Sequence, residues 1–323
     1  MCAIIRENLI GAKILMLNIK MLRSEEIAAL KLRELYELHG YSFYRMKRFE
    51  EYDFYANKKD FLTSKSILTF TDLNGKLMAL RPDVTLSIIK GIKNSSDVQK
   101  FYYDEKVYRS GKNEKNSFRE ISQAGIECVM PEKTEKNFND ENICEVIELA
   151  LLSLETLAKG RKYILDVSNA GLIAELLTRE KSSFNPEPEK ILKCLAEKNI
   201  HELENLNAPD EFIELAKIEG NINDALTKLK NMNLKGAENF ADIINSETLR
   251  KYHGKINVDF STVNNLNYYN GIIFRGYIEG IPESILSGGQ YDNLMSLMGH
   301  KNSRAIGFAV YIDLIEMKGG END

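Results

Sequence analysis

The chain has 323 residues and a formal net charge of −5 at pH 7. This length allows one large domain or two modest ones, and the acidic balance excludes the strongly basic surface that is typical of nucleic-acid-binding proteins. The four cysteines form no CxxC pair and the four histidines are scattered, so no metal site or cofactor is expected, and the thiols are typical of a reduced cytoplasmic protein. No apolar run reaches about 18 residues, so no membrane-spanning helix is predicted.

Residues 1–20 are predicted to be an N-terminal extension, so that the domain proper begins near Met21. Leu9–Leu17 is mostly apolar but is interrupted by Lys13. A short signal peptide is the alternative, although no small-residue cleavage site follows this run.

The first predicted elements of the domain are a helix and an aromatic extended segment. Ser24, followed by two glutamates, predicts a helix N-cap, and Gly40 lies where such a helix would end. Tyr41–Tyr55 is rich in aromatic residues and is predicted to be strand-like.

The next segment predicts a hairpin that leads into a helix. Leu68–Thr71 and Lys76–Leu80 flank a turn at Asp72–Gly75. Asp83 and Thr85 follow, and their oxygens are acceptors that could hold an ammonium group. The alternative is that these two residues cap the helix that begins near Thr85.

The stretch Phe101–Met130 predicts a long antiparallel hairpin. Its aromatic and β-branched run Phe101–Tyr108 and its mixed run Phe118–Met130 flank the polar loop Ser110–Ser117.

Several polar side chains of this hairpin are predicted to form the floor of a ligand site. Arg109 and Arg119 stand at the two ends of the loop, and arginine is suited to bidentate contact with a carboxylate or phosphate. Gln123, Gly125 and Glu127 share one face of a regular strand with Arg119, because alternate residues point to the same side. The alternative is that these charges form the solvated face of the hairpin.

The rest of the chain predicts helices and strands in alternation. In order, they are an amphipathic helix at Asn139–Lys159, a strand at Lys162–Val167, several short helices inserted at about 172–252, strands at Lys255–Phe260 and Gly271–Glu279, a small-residue strand at Arg304–Val310, and a helix at Tyr311–Met317.

Three tyrosines in this half are candidate pocket residues. Tyr268 and Tyr269 are adjacent in a loop, where they bring rings and hydroxyls to a pocket or pack as a core pair. Tyr291 follows two glycines that let the backbone approach a ligand closely.

Five segments carry a resemblance to one family. YRSGKNEKNSFREISQAGIE resembles motif 2 of class II aminoacyl-tRNA synthetases in the form used by histidyl-tRNA synthetase. LRPDVT, NNLNYYNG, SGGQYDNL and RAIGFAV are similar to other segments of that family, and the resemblance covers most of the chain from about Met21. LRPD, with Asp in place of Glu, is the form associated with the synthetase-like regulatory subunit of ATP phosphoribosyltransferase. The resemblance implies an α+β class II synthetase-like fold, with a mostly antiparallel sheet flanked by helices.

The resemblance also implies a histidine site and a dimer interface. Motif 1, which builds the homodimer interface in the family, falls in Tyr41–Tyr55, where Glu50 matches its acidic position and Lys47 replaces the usual proline. The implied histidine-binding residues are Asp83 and Thr85 at the amino group, Gln123 near the backbone end, Glu127 and Tyr269 towards the imidazole, Tyr268 and Tyr291 in the pocket wall, and Arg109 at the carboxylate.

Three positions that hold and activate ATP in the synthetases are changed. The motif 2 glutamate corresponds to Gly111, the motif 3 arginine to Leu314, and the histidyl-specific arginine to Asn264. Neither Leu nor Asn supplies the fixed positive charge that stabilises a developing phosphate charge, so adenylation is expected to be lost. The sequence ends nine residues after Leu314, so no anticodon-binding domain and no tRNA partner are expected.

These features favour a non-catalytic regulatory subunit of ATP phosphoribosyltransferase. The resemblance implies a short-form catalytic subunit as partner, a hetero-octamer built on a homodimeric core, and feedback control of histidine biosynthesis by histidine. Two alternatives remain open, namely a minimal histidyl-tRNA synthetase and another synthetase-like paralogue.

Overall fold

The computed structural model describes residues 21–58, 62, 67–93, 95–110, 118–131, 136–179, 188–220, 222–263 and 268–316. The predicted extension at residues 1–20, and the changed positions Gly111 and Asn264, lie outside these ranges.

The described residues contain two sheets. The strands are β1 (Ser42–Phe43), β2 (Phe49–Glu51), β3 (Thr69–Thr71), β4 (Leu77–Leu80), β5 (Gln99–Ser110), β6 (Phe118–Pro131), β7 (Tyr163–Asn169), β8 (Ile256–Val258), β9 (Ile272–Ile278), β10 (Leu286–Gln290) and β11 (Ser303–Tyr311). The main sheet has eight strands in the order β1-β5-β6-β11-β10-β9-β7-β8, and the small sheet has the order β2-β4-β3. Only the pairs β1–β5 and β7–β8 are parallel in the described sheets, which confirms the predicted α+β class with a mostly antiparallel sheet.

The helices fall into a group around the main sheet and a group of short helices between β7 and β8. They are α1 (Ser24–Leu38), α2 (Tyr52–Ala56), α3 (Val84–Gly91), α4 (Lys136–Ala158), α5 (Ala170–Arg179), α6 (Pro188–Ala196), α7 (Ile200–Asn205), α8 (Asp210–Ala216), α9 (Ile222–Asn231), α10 (Ala237–Ile244), α11 (Glu247–Arg250), α12 (Asp292–Leu297) and α13 (Asp313–Glu316), with a 3₁₀ turn at His253–Lys255. No described helix is long and apolar enough to cross a membrane.

The two faces of the main sheet have different roles. One face packs against α1 and α4 in a large hydrophobic core that includes Leu32, Ile126 and Leu154. The approach of α4 is close, because a Cβ added at Gly276 of β9 would lie 2.7 Å from a methyl group of Leu154. The opposite face carries Gln123 and Glu127 of β6, since alternate residues of a strand point to opposite sides. That second face is therefore the one available to a ligand.

The predicted hairpin is present and forms the centre of the main sheet. Strands β5 and β6 pair antiparallel from Gln99 opposite Val129 to Ser110 opposite Phe118. The hairpin Leu68–Leu80 is also present, as β3 and β4.

Two local predictions were wrong. Arg23, not Ser24, occupies the N-cap of α1, and its backbone N–H donates to the carboxylate of Glu26 at 2.8 Å. The end of the strand-like segment Tyr41–Tyr55 forms the helix α2, because the fully buried Tyr55 packs there and its hydroxyl lies 3.3 Å from the Ser87 hydroxyl of α3.

Candidate ligand-binding site

A cavity of about 540 Å³ lies on the sheet face that α4 leaves uncovered. It is lined by all eight residues predicted to bind a ligand, namely Asp83, Thr85, Arg109, Gln123, Glu127, Tyr268, Tyr269 and Tyr291. These residues come from α3 and its N-cap, from the β5–β6 hairpin, and from the segments that flank β9 and β10. The sequence-predicted set is thus brought together in one place.

The carboxyl group of Glu127 is the buried acid of the cavity. Only 2% of Glu127 is exposed, and the Thr85 hydroxyl donates to its Oε1 at 2.6 Å while the Tyr291 hydroxyl donates to its Oε2. Burial raises the pKa of Glu127 to about 8, although these two hydrogen bonds oppose the rise, and the neighbouring Asp83 adds to it. At neutral pH this shift favours the protonated form of the Glu127 carboxyl group.

Gly307 makes room for this acid, and Gly125 makes room for the neighbouring Tyr103. A Cβ added at Gly307 of β11 would lie 1.9 Å from Glu127 Oε2, and one added at Gly125 would lie 2.6 Å from the Tyr103 hydroxyl. Real Cβ atoms do not approach other atoms so closely, so a side chain at either position would displace the groups that line the cavity floor.

The two carboxylate oxygens of Asp83 make different contacts, one with the start of α3 and one with Arg109 in the cavity. Its Oδ1 accepts from the backbone N–H of Leu86 at 2.9 Å, so the predicted helix-cap role is present. Its Oδ2 lies 3.7 Å from Arg109 Nη2, and Arg109 Nε donates to the carbonyl of Pro82 at 2.9 Å. Burial raises the pKa of Asp83, and Arg109 opposes that rise. A carboxylate and a guanidinium thus stand side by side at one end of the cavity.

The three predicted tyrosines form an aromatic wall. The rings of Tyr268 and Tyr269 meet edge to face with centroids 4.7 Å apart, and Tyr268 lies 5.9 Å from the ring of Tyr291. They pack on a second hydrophobic cluster that includes Leu86, so the core-pair interpretation and the pocket-wall interpretation both hold. Burial raises the pKa of all three hydroxyls well above the ordinary value, so they act as neutral hydrogen-bond groups.

Gln123 contributes the remaining polar group of the floor. It is 2% exposed and lies opposite Glu105 of β5 and Tyr311 of β11. Its side-chain amide forms no hydrogen bond with another described residue, which leaves both its donor and its acceptor for a ligand.

The sequence interpretation missed several residues of the cavity. Thr262, Arg275, Ser284, Ser287 and Tyr311 also line it. Arg275 lies in the predicted strand Gly271–Glu279, but alternation along one strand does not tell which of its faces is shared with Glu127. Ser287 lies outside every strand that the sequence predicted.

Leu314, where the synthetases have a motif 3 arginine, does not line the cavity. It lies on α13 and packs against the large core on the other side of the sheet. Within the described part of the chain, no group of three or more His, Cys, Asp or Glu residues could hold a metal ion.

Comparison with known proteins agrees with this architecture. The family model described as histidyl-tRNA synthetase matches residues 17–315. An ATP phosphoribosyltransferase regulatory subunit of Caldanaerobacter subterraneus subsp. tengcongensis is 28% identical, over 88% of this chain and 76% of the relative.

Two solved structures share the fold. The crystal structure of an ATP phosphoribosyltransferase regulatory subunit/histidyl-tRNA synthetase from Bacillus halodurans has a TM-score of 0.71 and 23% identity, and the match covers 90% of this chain and 78% of the other. The ATP phosphoribosyl transferase (HisG:HisZ) complex of Thermotoga maritima has a chain with a TM-score of 0.66 and 18% identity, and the match covers 90% and 97%. The class II synthetase-like fold is therefore confirmed, and the chain belongs to the histidyl-tRNA synthetase family, within which it is similar to the regulatory subunits of ATP phosphoribosyltransferase.

Proposed function

We propose that this chain is a non-catalytic regulatory subunit of ATP phosphoribosyltransferase and that its cavity binds free histidine. The observation that carries the proposal is the set of charged groups in the cavity. The buried carboxyl group of Glu127 lines the same cavity as the carboxylate of Asp83 and the guanidinium of Arg109, which form an ion pair. This pattern complements an imidazole at one end and an amino-acid head group at the other.

Each charged part of histidine has a partner in this arrangement. The α-ammonium group fits beside Asp83 and the hydroxyl of Thr85, and the α-carboxylate fits beside Arg109, which lies 3.7 Å from Asp83. Glu127 then accepts from an imidazole N–H, which is a charge-assisted hydrogen bond once Glu127 is ionised. The Tyr268 and Tyr269 rings supply an apolar wall for the imidazole.

The proposed loss of adenylation rests on the ATP side of the site. Leu314 cannot provide a charge to a phosphate and packs away from the cavity. The sequence also has Gly111 and Asn264 where the synthetases have a glutamate and an arginine. Each missing contact to a developing phosphate charge typically lowers a rate by about 10²- to 10³-fold.

The proposed protein partner is a short-form ATP phosphoribosyltransferase catalytic subunit. The support is similarity to proteins named as its regulatory subunit and to a chain of a solved complex of that enzyme. In this proposal, histidine bound in the cavity changes the affinity of the partner's active site for its own ligand. Thermodynamic linkage then requires that the partner's ligand changes the histidine affinity of this chain by the same factor.

We further propose a homodimeric core, built through the segment Tyr41–Tyr55 and the small sheet. Phe43, Phe49 and Phe70 are 43%, 47% and 37% exposed, and the rings of Phe49 and Phe70 pack edge to face at 5.5 Å. Phe49 and Phe70 lie in the small sheet, and Phe43 lies in β1 of the main sheet. Exposed aromatic side chains are typical of an interaction surface, and a closed two-fold pairing is the commonest way to cover such a surface.

Calorimetry on the chain in complex with the catalytic subunit tests the histidine site. Glu127→Ala should weaken histidine binding about tenfold or more, because an imidazole N–H left unpaired in a dry site costs about 1–3 kcal/mol. The matched control is Glu204→Gln, which alters an exposed glutamate on α7. Equal histidine affinity for Glu127→Ala and the wild type would place the regulatory site elsewhere, for example at the subunit interface.

A further inference from the structure

Arg275 is a cation of the cavity that the histidine site does not use. It lies in β9, directly opposite Ser287 of β10 on one side and Asp166 of β7 on the other, and it lines the cavity. Among the described residues, none places a carboxylate oxygen within 4.0 Å of its guanidinium, and none forms a hydrogen bond with it. A half-buried arginine without such a partner retains most of its hydrogen-bonding capacity.

Asp166 is the acid that lies opposite Arg275 in the β7–β9 pair, but its carboxylate is bound to another residue. Its Oδ1 accepts from Asn257 Nδ2 at 2.9 Å. Burial raises the pKa of Asp166, and Asn257 opposes this rise more strongly than Arg275 does. The Asp166 carboxylate also forms no ion pair with the Arg275 guanidinium within 4.0 Å, so Arg275 is not the direct partner of Asp166.

Three hydroxyl groups accompany Arg275 in the cavity lining. Thr262 is buried, Ser284 is half-buried, and neither side chain forms a hydrogen bond with another described residue. The Ser287 hydroxyl lies 3.0 Å from the hydroxyl of Tyr311, so it retains one further hydrogen-bonding position. A guanidinium together with hydroxyl donors matches the oxygen atoms of an anion.

We infer that Arg275, Thr262, Ser284 and Ser287 form an anion subsite, which binds a phosphate or carboxylate group in the part of the cavity that β9 lines. The sheet order places three strand spacings between β6, which carries Glu127, and β9, which carries Arg275. These spacings amount to roughly 14 Å. The histidine carboxylate is already assigned to Arg109 of β5, so the anion subsite takes a group that histidine does not provide.

The two proposals depend on different residues and can fail separately. The anion subsite does not require histidine to be the ligand at Glu127, and the histidine site does not require Arg275. A cavity of about 540 Å³ lies in the size range of sites that hold drug-sized ligands, which is consistent with occupancy beyond a single amino acid.

Calorimetric titration of the purified full chain with inorganic phosphate and, separately, with succinate tests the inference at constant ionic strength. Phosphate should bind more tightly than succinate, because its oxygens can meet the guanidinium and several hydroxyls together. Arg275→Gln should weaken binding of the preferred anion about tenfold or more, and Thr262→Val should weaken it by a smaller factor. The control Arg250→Gln removes an exposed arginine of α11 and should leave the affinity unchanged.

Histidine titrations on the same variants separate this inference from the proposed function. Arg275→Gln and Thr262→Val should bind histidine like the wild type, which also shows that they are folded. The anion subsite would be overturned if neither anion bound to the wild type, or if all the variants bound the anions as tightly as the wild type does. Loss of histidine binding only in Glu127→Ala, with phosphate binding intact, would leave it standing.

Discussion

Histidine binding should be coupled to proton release from Glu127. Burial raises the pKa of the Glu127 carboxyl group to about 8 in the folded chain, and this group accepts an imidazole N–H best when it is ionised. Histidine should therefore select the ionised form and lower the pKa of Glu127 in the complex. Raising the pH towards 9 should strengthen binding through this residue.

The size of the effect follows from the fraction of ionised Glu127. With a pKa of about 8, roughly one tenth of the carboxyl groups are ionised at pH 7 and roughly nine tenths at pH 9. The histidine affinity of the wild type relative to Glu127→Gln should thus increase about tenfold over this range. Histidine titrates as well, but its own protonation affects both proteins equally and cancels in the ratio.

Isothermal titration calorimetry in two buffers of different ionisation enthalpy measures both parts of this prediction. At pH 7 the number of protons released per histidine bound should be larger by close to one for the wild type than for Glu127→Gln. The control Glu204→Gln should behave as the wild type. Glu127→Gln should bind more tightly than Glu127→Ala, because the amide oxygen still accepts. A wild-type to Glu127→Gln affinity ratio that does not change between pH 7 and pH 9 would refute the assignment of Glu127 to the imidazole.

Three further predictions concern stability, catalysis and assembly. The folded state holds the Glu127 proton more tightly than the unfolded state, so the free energy of unfolding of the chain without histidine should fall as pH rises from about 4.5 to about 8. Urea denaturation at pH 5 and pH 8 should show this fall in the wild type and a smaller fall in Glu127→Gln. The purified chain should not adenylate histidine, and histidine-dependent pyrophosphate exchange above background would contradict this. Light scattering should give a dimer at micromolar concentration for the wild type and a monomer for Phe49→Glu, while Leu297→Glu, which alters a leucine on α12 that is 50% exposed, should remain dimeric. A wild-type monomer would be evidence against the proposed interface.

Local sequence patterns predicted the hairpin and its polar face well. Alternation along one strand is enough to place Gln123 and Glu127 on the same side, and β6 is regular over this range. The helical segment between β7 and β8 was likewise predictable from its composition, as a set of short helices.

Contacts between distant parts of the chain were not predictable in the same way. Tyr52–Tyr55 has strand-like composition, but tertiary packing of Tyr55 against α3 stabilises a helix there. Arg275 was missed because its strand reaches the cavity only through the order β6-β11-β10-β9, which depends on long-range pairing rather than on the residues near Arg275. The family resemblance predicted that Asp83 and Tyr268 lie in the same pocket. Local sequence patterns alone left open whether Asp83 only caps a helix and whether Tyr268 only packs in the core.

The two contacts of Asp83 restrict which amino acids can stand at this position. Helix N-caps favour Asn, Asp, Ser and Thr, whereas the proposed contact with an ammonium group beside Arg109 is strongest with a negatively charged partner. Glutamate provides the charge but is not among the favoured caps, and asparagine provides the cap without the charge. Aspartate is the one residue type that belongs to both groups, so the LRPD form of this segment unites the start of α3 and the charge of the cavity in a single carboxyl group.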